Sequence, residues 1–253
     1  MQDDLVETLA GAVRFWRGGK GPPLVLLQGG MGDAALHWSG MWSTLAERYE
    51  VFAPDLPGFG GSTALPRTTF SALTGWLHGF SSAVKLEPPI LVGADLGATL
   101  ARVYSATHPH RCRSVVLING GGLPSMFQRV GARLSPSAPA TPNAQTLFSR
   151  ARLAEMVVGP AVLTDEFVAS CQTSEAVTGI MRDLVLGPAP KHSPHARTLV
   201  LWGELDRIMP LEVGRRIAAD MPRAAFRSLH GCGHLPHIES PAMTAQALLA
   251  FLA

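Results

Sequence analysis

The 253-residue chain is poor in charge, and the charge it has is balanced in sign. Charged residues make up 16% of the sequence, against about 25% in an ordinary globular protein. The 21 Lys and Arg against 19 Asp and Glu leave a formal net charge of +2, which argues against nucleic acid or an anionic membrane as a partner. No apolar run approaches the ~20 residues of a membrane-spanning helix. The acidic N-terminus lacks the basic-then-apolar layout of a signal peptide, so we expect a cytoplasmic protein.

Cysteine is also scarce, and its placement excludes two further classes of protein. Cys112, Cys171 and Cys232 are odd in number and show no CxxC spacing. They fit reduced thiols rather than a disulfide framework or a zinc site. We expect neither a metal nor a cofactor. The apolar share of 47% is sufficient for a full core.

Short apolar runs that end in Gly or Pro alternate with longer helical stretches. The runs predict buried strands at Leu24–Leu27, Val51–Ala53, Ile90–Val92, Val115–Ile118 and Leu199–Trp202. Helices are predicted at Ala98–Thr107, Leu211–Met221 and Pro241–Ala253, with an edge hairpin of Val6–Thr8 and Ala12–Trp16. Nearly continuous apolar strands are typical of a parallel sheet covered on both faces. The alternation therefore predicts a doubly wound α/β fold.

One stretch breaks the alternation. Residues 123–186 begin with loop-forming residues and continue in helix-like segments around Gln145–Val158 and Thr164–Gln172. Ligands bind at the carboxyl edge of open α/β sheets, so we interpret this stretch as a helical cap over that edge. The predicted organisation is a core of residues 1–122 and 187–253 with an inserted cap of residues 123–186.

The strongest local motif is Gly93-Ala94-Asp95-Leu96-Gly97, which stands between a buried strand and a helix. Small residues around a central one permit a sharp turn that lifts the central side chain out of the sheet beside a helix N-terminus. Serine usually occupies the centre, and here it is Asp95. An aspartate in this place is also a good N-cap for the helix that follows, and the motif by itself leaves both interpretations open.

A histidine near the C-terminus has an equally constrained setting. His234 follows Gly231-Cys232-Gly233 and precedes a helix that begins at Pro241, so we expect it on a loop at the sheet edge. Asp206 ends the strand of Trp202-Gly203-Glu204 and is placed to orient the imidazole. Glu204 is the rival, with less suitable spacing.

Together these motifs resemble the α/β-hydrolase superfamily over almost the whole chain, and the order nucleophile, acid, histidine matches that fold. Supporting motifs are Leu27-Gln28-Gly29-Gly30 and Asp55-Leu56-Pro57-Gly58-Phe59-Gly60-Gly61-Ser62. The resemblance implies catalytic Asp95, His234 and Asp206, and an oxyanion hole from the backbone N–H groups of Gly30 and Leu96. The residues expected to line a substrate pocket are Gly29, Met31, Trp38, Met126, Phe127 and Leu235. Gln28 departs from the family, which usually has His before this glycine.

The sharp turn that carries Asp95 corresponds to the nucleophile elbow of this superfamily. With an aspartate at the elbow, the chain resembles the epoxide hydrolase and haloalkane dehalogenase branches. The resemblance implies that Asp95 attacks a saturated carbon to form an ester, which a water activated by His234 then hydrolyses. Neither branch's usual set of leaving-group donors is complete: Tyr49 and Tyr104 lie outside the cap, and Leu96 stands where dehalogenases have Trp. Substitute donors could be His37, Trp38, Gln128, Arg129 and His192. Because these can open an epoxide and no halide site is visible, epoxide hydrolysis is the working prediction.

Three other interpretations remain open. Asp95 and His234 could act as a general acid–base pair on a carbonyl substrate, in a lyase, cyclase or isomerase. Asp95 could replace the serine of an esterase or C–C hydrolase. The chain could also be a non-catalytic ligand-binding module, although an intact Asp206–His234 pair argues against this. In each case the expected partner is a small molecule, and we expect a monomer or homodimer.

Overall fold

A computed structural model describes residues 1–122, 148–171 and 194–253. These residues contain an eight-stranded sheet in the order β1-β2-β4-β3-β5-β6-β7-β8. The strands are β1 Gln2–Thr8, β2 Gly11–Gly18, β3 Pro23–Leu27, β4 Glu50–Pro54, β5 Ile90–Ala94, β6 Ser114–Ile118, β7 Arg197–Gly203 and β8 Ala224–Leu229. The β1–β2 and β2–β4 pairs are antiparallel, and all other neighbouring strands are parallel. The predicted α/β class, with a hairpin on its edge, is confirmed.

Helices cover both faces of the sheet. The described residues contain α1 Ala34–Trp38, α2 Trp42–Ala46, α3 Phe70–Ala83, α4 Leu96–Thr107, α5 Arg150–Met156, α6 Asp165–Ser170, α7 Leu211–Ala219, α8 Pro236–Glu239 and α9 Pro241–Leu252, of which α5 and α6 belong to the cap segment. Successive strand side chains point to opposite faces, so Val25 and Leu27 pack beneath α3, α4 and α7. Leu24 and Leu26 pack against α1, α2 and α9 on the other face. This is why the central strands are apolar at every position.

Helix α3 is not singled out by the sequence patterns. Its interior contains Gly75 and Gly79, and glycine in a helix interior is unfavourable by roughly 1 kcal/mol relative to alanine. The helix forms because Leu73, Trp76, Leu77 and Phe80 share one buried face against the core. Tertiary packing here outweighs the weak local propensity.

The described part of the predicted cap is residues 148–171. It contains α5 and α6, which fall within the two helix-like stretches predicted there. Residues 123–147 and 172–193 lie outside the described residues, so the cap boundaries stay a prediction. Across the three described ranges, no helix is long and apolar enough to cross a membrane.

Candidate active site

Six parallel strands end at one edge of the sheet, and the candidate residues lie just beyond five of them. Gly29 follows β3, Asp95 follows β5, and Asn119 follows β6. Asp206 follows β7, and the loop that carries His234 follows β8. Parallel topology alone therefore brings these distant segments of the chain to one place.

Asp95 stands on a strained turn. Its backbone has φ 48° and ψ −110°, a region that residues with a Cβ rarely adopt. The turn is fixed because Asp95 N–H donates to the Ile118 carbonyl at 3.0 Å. Gly97 allows the start of α4 to lie close to the end of β3, since a Cβ at position 97 would be 2.1 Å from the Leu27 carbonyl oxygen. The Asp95 side chain makes no capping hydrogen bond to α4, so the N-cap interpretation is not what the structure shows.

The two carboxylate oxygens of Asp95 have different surroundings. Oδ2 accepts a hydrogen bond from the Gly30 N–H at 3.1 Å. Oδ1 lies 4.0 Å from His234 Nε2, which is too long for a hydrogen bond. The side chain keeps 23% of its exposure, so a small molecule can approach it. Leu96, predicted to supply the second oxyanion N–H, is the first residue of α4, where backbone N–H groups favour an anion.

His234 is paired with Asp206 as predicted. The distance from His234 Nδ1 to Asp206 Oδ2 is 2.8 Å, and both side chains are buried. Asp206 Oδ1 accepts the N–H groups of Ile208 and Met209, each at 2.8 Å. The rival Glu204 instead accepts from Ser228 and pairs with exposed His230, so it is not the partner of the buried imidazole.

Burial and charge act in opposite directions on this pair. Burial alone would lower the pKa of His234, but the charge and hydrogen bond of Asp206, with smaller contributions from Asp95 and Glu239, raise it overall. Burial would likewise raise the pKa of Asp206, yet His234 and the hydrogen bonds from Met209 and Asn119 leave it lowered. Each charge therefore stabilises the other, and Nε2 of His234 faces Asp95 as the exchangeable position.

Two stacked histidines, His37 and His237, pack against the loop that carries Gly30. The rings of His37 and His237 are 5.1 Å apart, and His37 Nδ1 lies 2.9 Å from His237 Nε2. His37 Nε2 lies 3.1 Å from the Met31 carbonyl. A carbonyl only accepts, so His37 carries its proton on Nε2 and His237 Nε2–H donates to His37 Nδ1. Burial lowers the pKa of His37 to about 4 and that of His237 well below 6.5.

Gln28 takes over a structural role in the same loop. Its Nε2 donates to the Gly32 carbonyl at 3.2 Å, and its Oε1 accepts the Leu56 N–H at 3.3 Å. The side chain thereby bridges the loop after β3 and the loop after β4. Gln28, which stands where the family usually has His, therefore joins the two loops.

The predicted pocket residues separate into three groups. Gly29 lies directly between two site residues, because a Cβ there would be 2.8 Å from His37 Cε1 and 3.3 Å from Asp95 Oδ2. Met31 and Leu235 belong to a small apolar cluster with Phe148, Leu153, Met156 and Phe167 of the cap segment. Trp38 is different: it is fully buried in the core cluster against α9 and contacts the His237 ring. This placement makes Trp38 a core residue rather than a pocket residue.

Of the remaining predicted donors and pocket residues, His37 alone lies within the described ranges. Both ring nitrogens of His37 are already engaged within the protein, so it does not serve as a leaving-group donor. Met126, Phe127, Gln128, Arg129 and His192 lie outside the described residues. Among the described residues, no group of three or more His, Cys, Asp or Glu could hold a metal ion. All three cysteines are free and buried.

Sequence reasoning missed two residues that organise the site, Asn119 and Glu239, and it considered His37 only as a leaving-group donor. Asn119 donates to Asp206, and Glu239 accepts from the backbone beside His234. His37 donates to the Met31 carbonyl in the loop of residues 28–33, which we call the oxyanion loop. Asn119 could have been found, since it directly follows a predicted strand at the carboxyl edge of the sheet. Neither Glu239 nor the supporting role of His37 had such a signal, because their partners are distant in sequence or are backbone groups.

Known proteins share this fold and part of this sequence. The 2-hydroxy-6-oxo-6-phenylhexa-2,4-dienoate hydrolase of Burkholderia cepacia is 30% identical over 93% of this chain and 89% of its own. A 2-hydroxy-6-oxononadienedioate/2-hydroxy-6-oxononatrienedioate hydrolase of Paraburkholderia phymatum is 27% identical over 92% and 88%. The solved enol-lactonase of Burkholderia xenovorans has a TM-score of 0.83 at 19% identity, covering 98% of this chain and 99% of that one. That likeness shows the fold alone.

Both sequence relatives are named as hydrolases of 2-hydroxy-6-oxo compounds, and neither is named as an epoxide hydrolase or a dehalogenase. The branch with an aspartate nucleophile therefore stays a prediction. The sequence model of the alpha/beta hydrolase fold matches residues 22–241, which confirms the superfamily prediction. The chain belongs to the α/β-hydrolase fold family.

Proposed function

We propose that this protein hydrolyses a small, largely apolar organic molecule through an ester between Asp95 and a saturated carbon, with epoxides as the first substrate class. The unequal surroundings of the two Asp95 oxygens carry this proposal. Oδ2 is held by the Gly30 N–H, whereas Oδ1 has no hydrogen bond within the described residues and faces His234. A carboxylate held at one oxygen presents the other as a nucleophile.

In the first step Oδ1 forms a bond to an epoxide carbon, and the carbon–oxygen bond of the ring breaks. The ring oxygen, released as an alkoxide, takes a proton from solvent water and becomes a hydroxyl. In the second step a water between His234 and Asp95 gives a proton to Nε2 and attacks Cγ of the ester. The bond between Cγ and Oδ1 then breaks, the departing oxygen takes the proton from Nε2, and the diol leaves. The new carboxylic acid of Asp95 releases its proton to solvent, which balances the proton taken in the first step, so epoxide and water are consumed in equal amounts.

The same N–H group serves throughout this sequence. Oδ2 becomes the carbonyl oxygen of the ester and then the oxyanion of the tetrahedral intermediate, without leaving the Gly30 N–H. Donors placed where charge develops are among the largest contributions to catalysis. The 4.0 Å between His234 Nε2 and Asp95 Oδ1 leaves the two groups free to approach one water rather than bond to each other.

Acyl transfer by Asp95 is disfavoured by the same geometry. Attack of a carboxylate on an ester would give an anhydride. In addition, a substrate carbonyl oxygen would need the Gly30 N–H that the Asp95 carboxylate already occupies. The serine-type route to an ester or ketone is thus obstructed both chemically and sterically.

A second candidate function is proton transfer on a carbonyl substrate by the pair of Asp95 and His234. It is favoured by the sequence relatives, which are named as hydrolases of 2-hydroxy-6-oxo compounds. In this case His234 exchanges a proton with the substrate directly, and no covalent intermediate forms. Lyase, cyclase and isomerase reactions all belong to this class.

The two functions separate in a single-turnover experiment with styrene oxide in heavy-oxygen water. The ester route places the label in Asp95 during the first turnover, because water attacks Cγ. His234→Gln should accumulate an adduct of one substrate mass on the intact protein, with turnover reduced about 10²- to 10⁴-fold. Asp95→Asn is the matched control and should form no adduct.

1-Chlorobutane in the same assay tests halide displacement in place of epoxide opening. Label that appears in the product but never in Asp95 would reject the ester route. Turnover of 2-hydroxy-6-oxo-6-phenylhexa-2,4-dienoate without any adduct would favour the second candidate. If Asp95→Ser creates activity towards p-nitrophenyl acetate, a serine-hydrolase ancestry is supported.

A further inference from the structure

The carboxylate of Glu239 lies among three backbone N–H groups that belong to two different segments of the chain. Its Oε1 accepts from Gly233 N–H at 3.0 Å and from Leu235 N–H at 3.2 Å. Its Oε2 accepts from Val158 N–H at 2.7 Å. Gly233 and Leu235 flank His234 on either side, whereas Val158 follows helix α5 of the cap segment.

His234 itself is attached to the same segment. Its backbone N–H donates to the Met156 carbonyl at 2.7 Å. The approach is close enough to require glycine at position 233, because a Cβ there would lie 2.7 Å from the Met156 oxygen and 3.1 Å from Glu239 Oε1. The backbone of the catalytic loop is therefore held by residues 150–158 as well as by the sheet.

Apolar packing reinforces these hydrogen bonds. Leu235, adjacent to His234, is fully buried with Leu153 and Met156 of α5. Phe167 of α6 and Met31 of the oxyanion loop belong to the same cluster. The cap segment thus contacts both loops on which the proposed chemistry depends.

The Glu239 carboxylate also acts on His234 electrostatically. Burial raises the pKa of Glu239, opposed by its three backbone hydrogen bonds and by His234. In return its charge contributes to raising the pKa of His234, together with Asp206 and Asp95. His237 is a further buried basic group on the same helix as Glu239, and its own pKa is lowered by burial, by His37 and by His234.

We propose that Glu239 is a positioning residue that ties residues 150–158 to the backbone on both sides of His234, so that docking of this cap segment fixes the imidazole opposite Asp95. The use of His234 in catalysis rests on the proposed function, but the tie itself does not. The tie matters because the space between His234 Nε2 and Asp95 must admit one water. A loop free to shift by an ångström would lose that spacing.

Two substitutions separate the hydrogen bond from the charge. Val158→Pro removes the N–H donor to Glu239 Oε2, and Val157 before it has the extended backbone, φ −115° and ψ 153°, that a residue before proline prefers. Glu239→Gln removes the charge, and its amide cannot accept at both ends. Val158→Ala keeps the N–H and controls for loss of the side chain.

The first measurement is amide hydrogen exchange, read by mass spectrometry on the full chain without any substrate. Peptides covering 150–158 and 231–240 should exchange about tenfold or more faster in Val158→Pro and Glu239→Gln. Val158→Ala should exchange as the unsubstituted protein does. Unchanged exchange at both peptides in both variants would overturn the proposal.

The second measurement is the pKa of His234, followed by NMR of ring-labelled histidine and assigned with His234→Gln. Glu239→Gln should lower this pKa, since a nearby negative charge is removed, whereas Val158→Pro keeps the charge and should leave the pKa raised. Equal pKa values in Glu239→Gln and the unsubstituted protein would refute an action of Glu239 on His234. Neither measurement needs turnover. If the ester mechanism is wrong, hydrogen exchange and the pKa of His234 still respond to the substitutions; if the role of Glu239 is wrong, they do not.

Discussion

Asn119 donates through Nδ2 to Asp206 Oδ2 at 2.7 Å, the same oxygen that lies 2.8 Å from His234 Nδ1. Its Oδ1 accepts the Gly203 N–H at 3.0 Å. The side chain therefore joins β6 to β7 and fixes the carboxylate that orients the imidazole. Asn119 has a positive φ of 41°, a conformation that asparagine tolerates better than most residues with a side chain.

Removing the Asn119 side chain should destabilise the protein and weaken the hold on Asp206. Asn119→Ala and Asn119→Gly both lose these hydrogen bonds, and we expect that loss alone to lower the unfolding free energy of each by about 2 kcal/mol. Only alanine also suffers the left-handed backbone, so Asn119→Gly should be the more stable by about 1 kcal/mol. Urea unfolding measures both values, and equal stability of the two variants would contradict a strained backbone at this position.

The elbow at Asp95 should store strain that a glycine releases. Asp95→Gly and Asp95→Ala both remove the carboxylate, so their difference isolates the backbone at φ 48°. We expect Asp95→Gly to be the more stable by about 1 kcal/mol. Thermal unfolding followed by circular dichroism tests this order, and a more stable Asp95→Ala would show that the turn is unstrained.

Two glycines should respond to alanine in opposite directions. A Cβ at Gly97 would lie 2.1 Å from the Leu27 carbonyl oxygen, whereas a Cβ at Gly75 meets nothing within 4 Å. Gly97→Ala should therefore cost about 3 kcal/mol or more. Gly75→Ala, in the exposed part of α3, should stabilise by about 0.5–1 kcal/mol. Chemical denaturation of both variants provides the comparison, and a neutral Gly97→Ala would mean that the elbow can relax.

The two buried histidines should make the protein less stable in mild acid. Their pKa values are lowered on folding, to about 4 for His37 and well below 6.5 for His237. The unfolded chain therefore binds more protons, and stability falls as pH decreases from about 6.5 towards 4. For His37 alone the difference is on the order of 3 kcal/mol.

His237→Gln tests this dependence. The glutamine keeps an N–H donor for His37 but removes one titrating ring, so the loss of stability between pH 6.5 and 4 should be smaller than in the unsubstituted protein. Denaturant unfolding at several pH values gives both slopes. Groups whose pKa is raised by burial, such as Glu239 and Asp55, titrate in both proteins and largely cancel in the difference. Parallel slopes would contradict buried neutral imidazoles.

Predictions from sequence succeeded where the signal is local. The buried strands could be predicted because both faces of each are covered, which leaves an apolar run with a Gly or Pro at its end. The elbow around Asp95 could be predicted because its small neighbours are adjacent in the chain. Helix α3 could not, because its glycines weaken the local pattern and its stability comes from burial of Trp76 and Phe80.

The sequence by itself determined the α/β class, the order of Asp95, Asp206 and His234, and the balance of charge. Only the tertiary structure decided that Asp206 and not Glu204 pairs with His234, that Trp38 belongs to the core, and that Gly30 holds one oxygen of Asp95. The physical reason is the range of the interactions. Strands and turns depend on residues that are neighbours in the sequence. The hydrogen bond from Val158 N–H to Glu239, in contrast, joins groups 81 residues apart. Such a bond forms only after the sheet has brought the loops together.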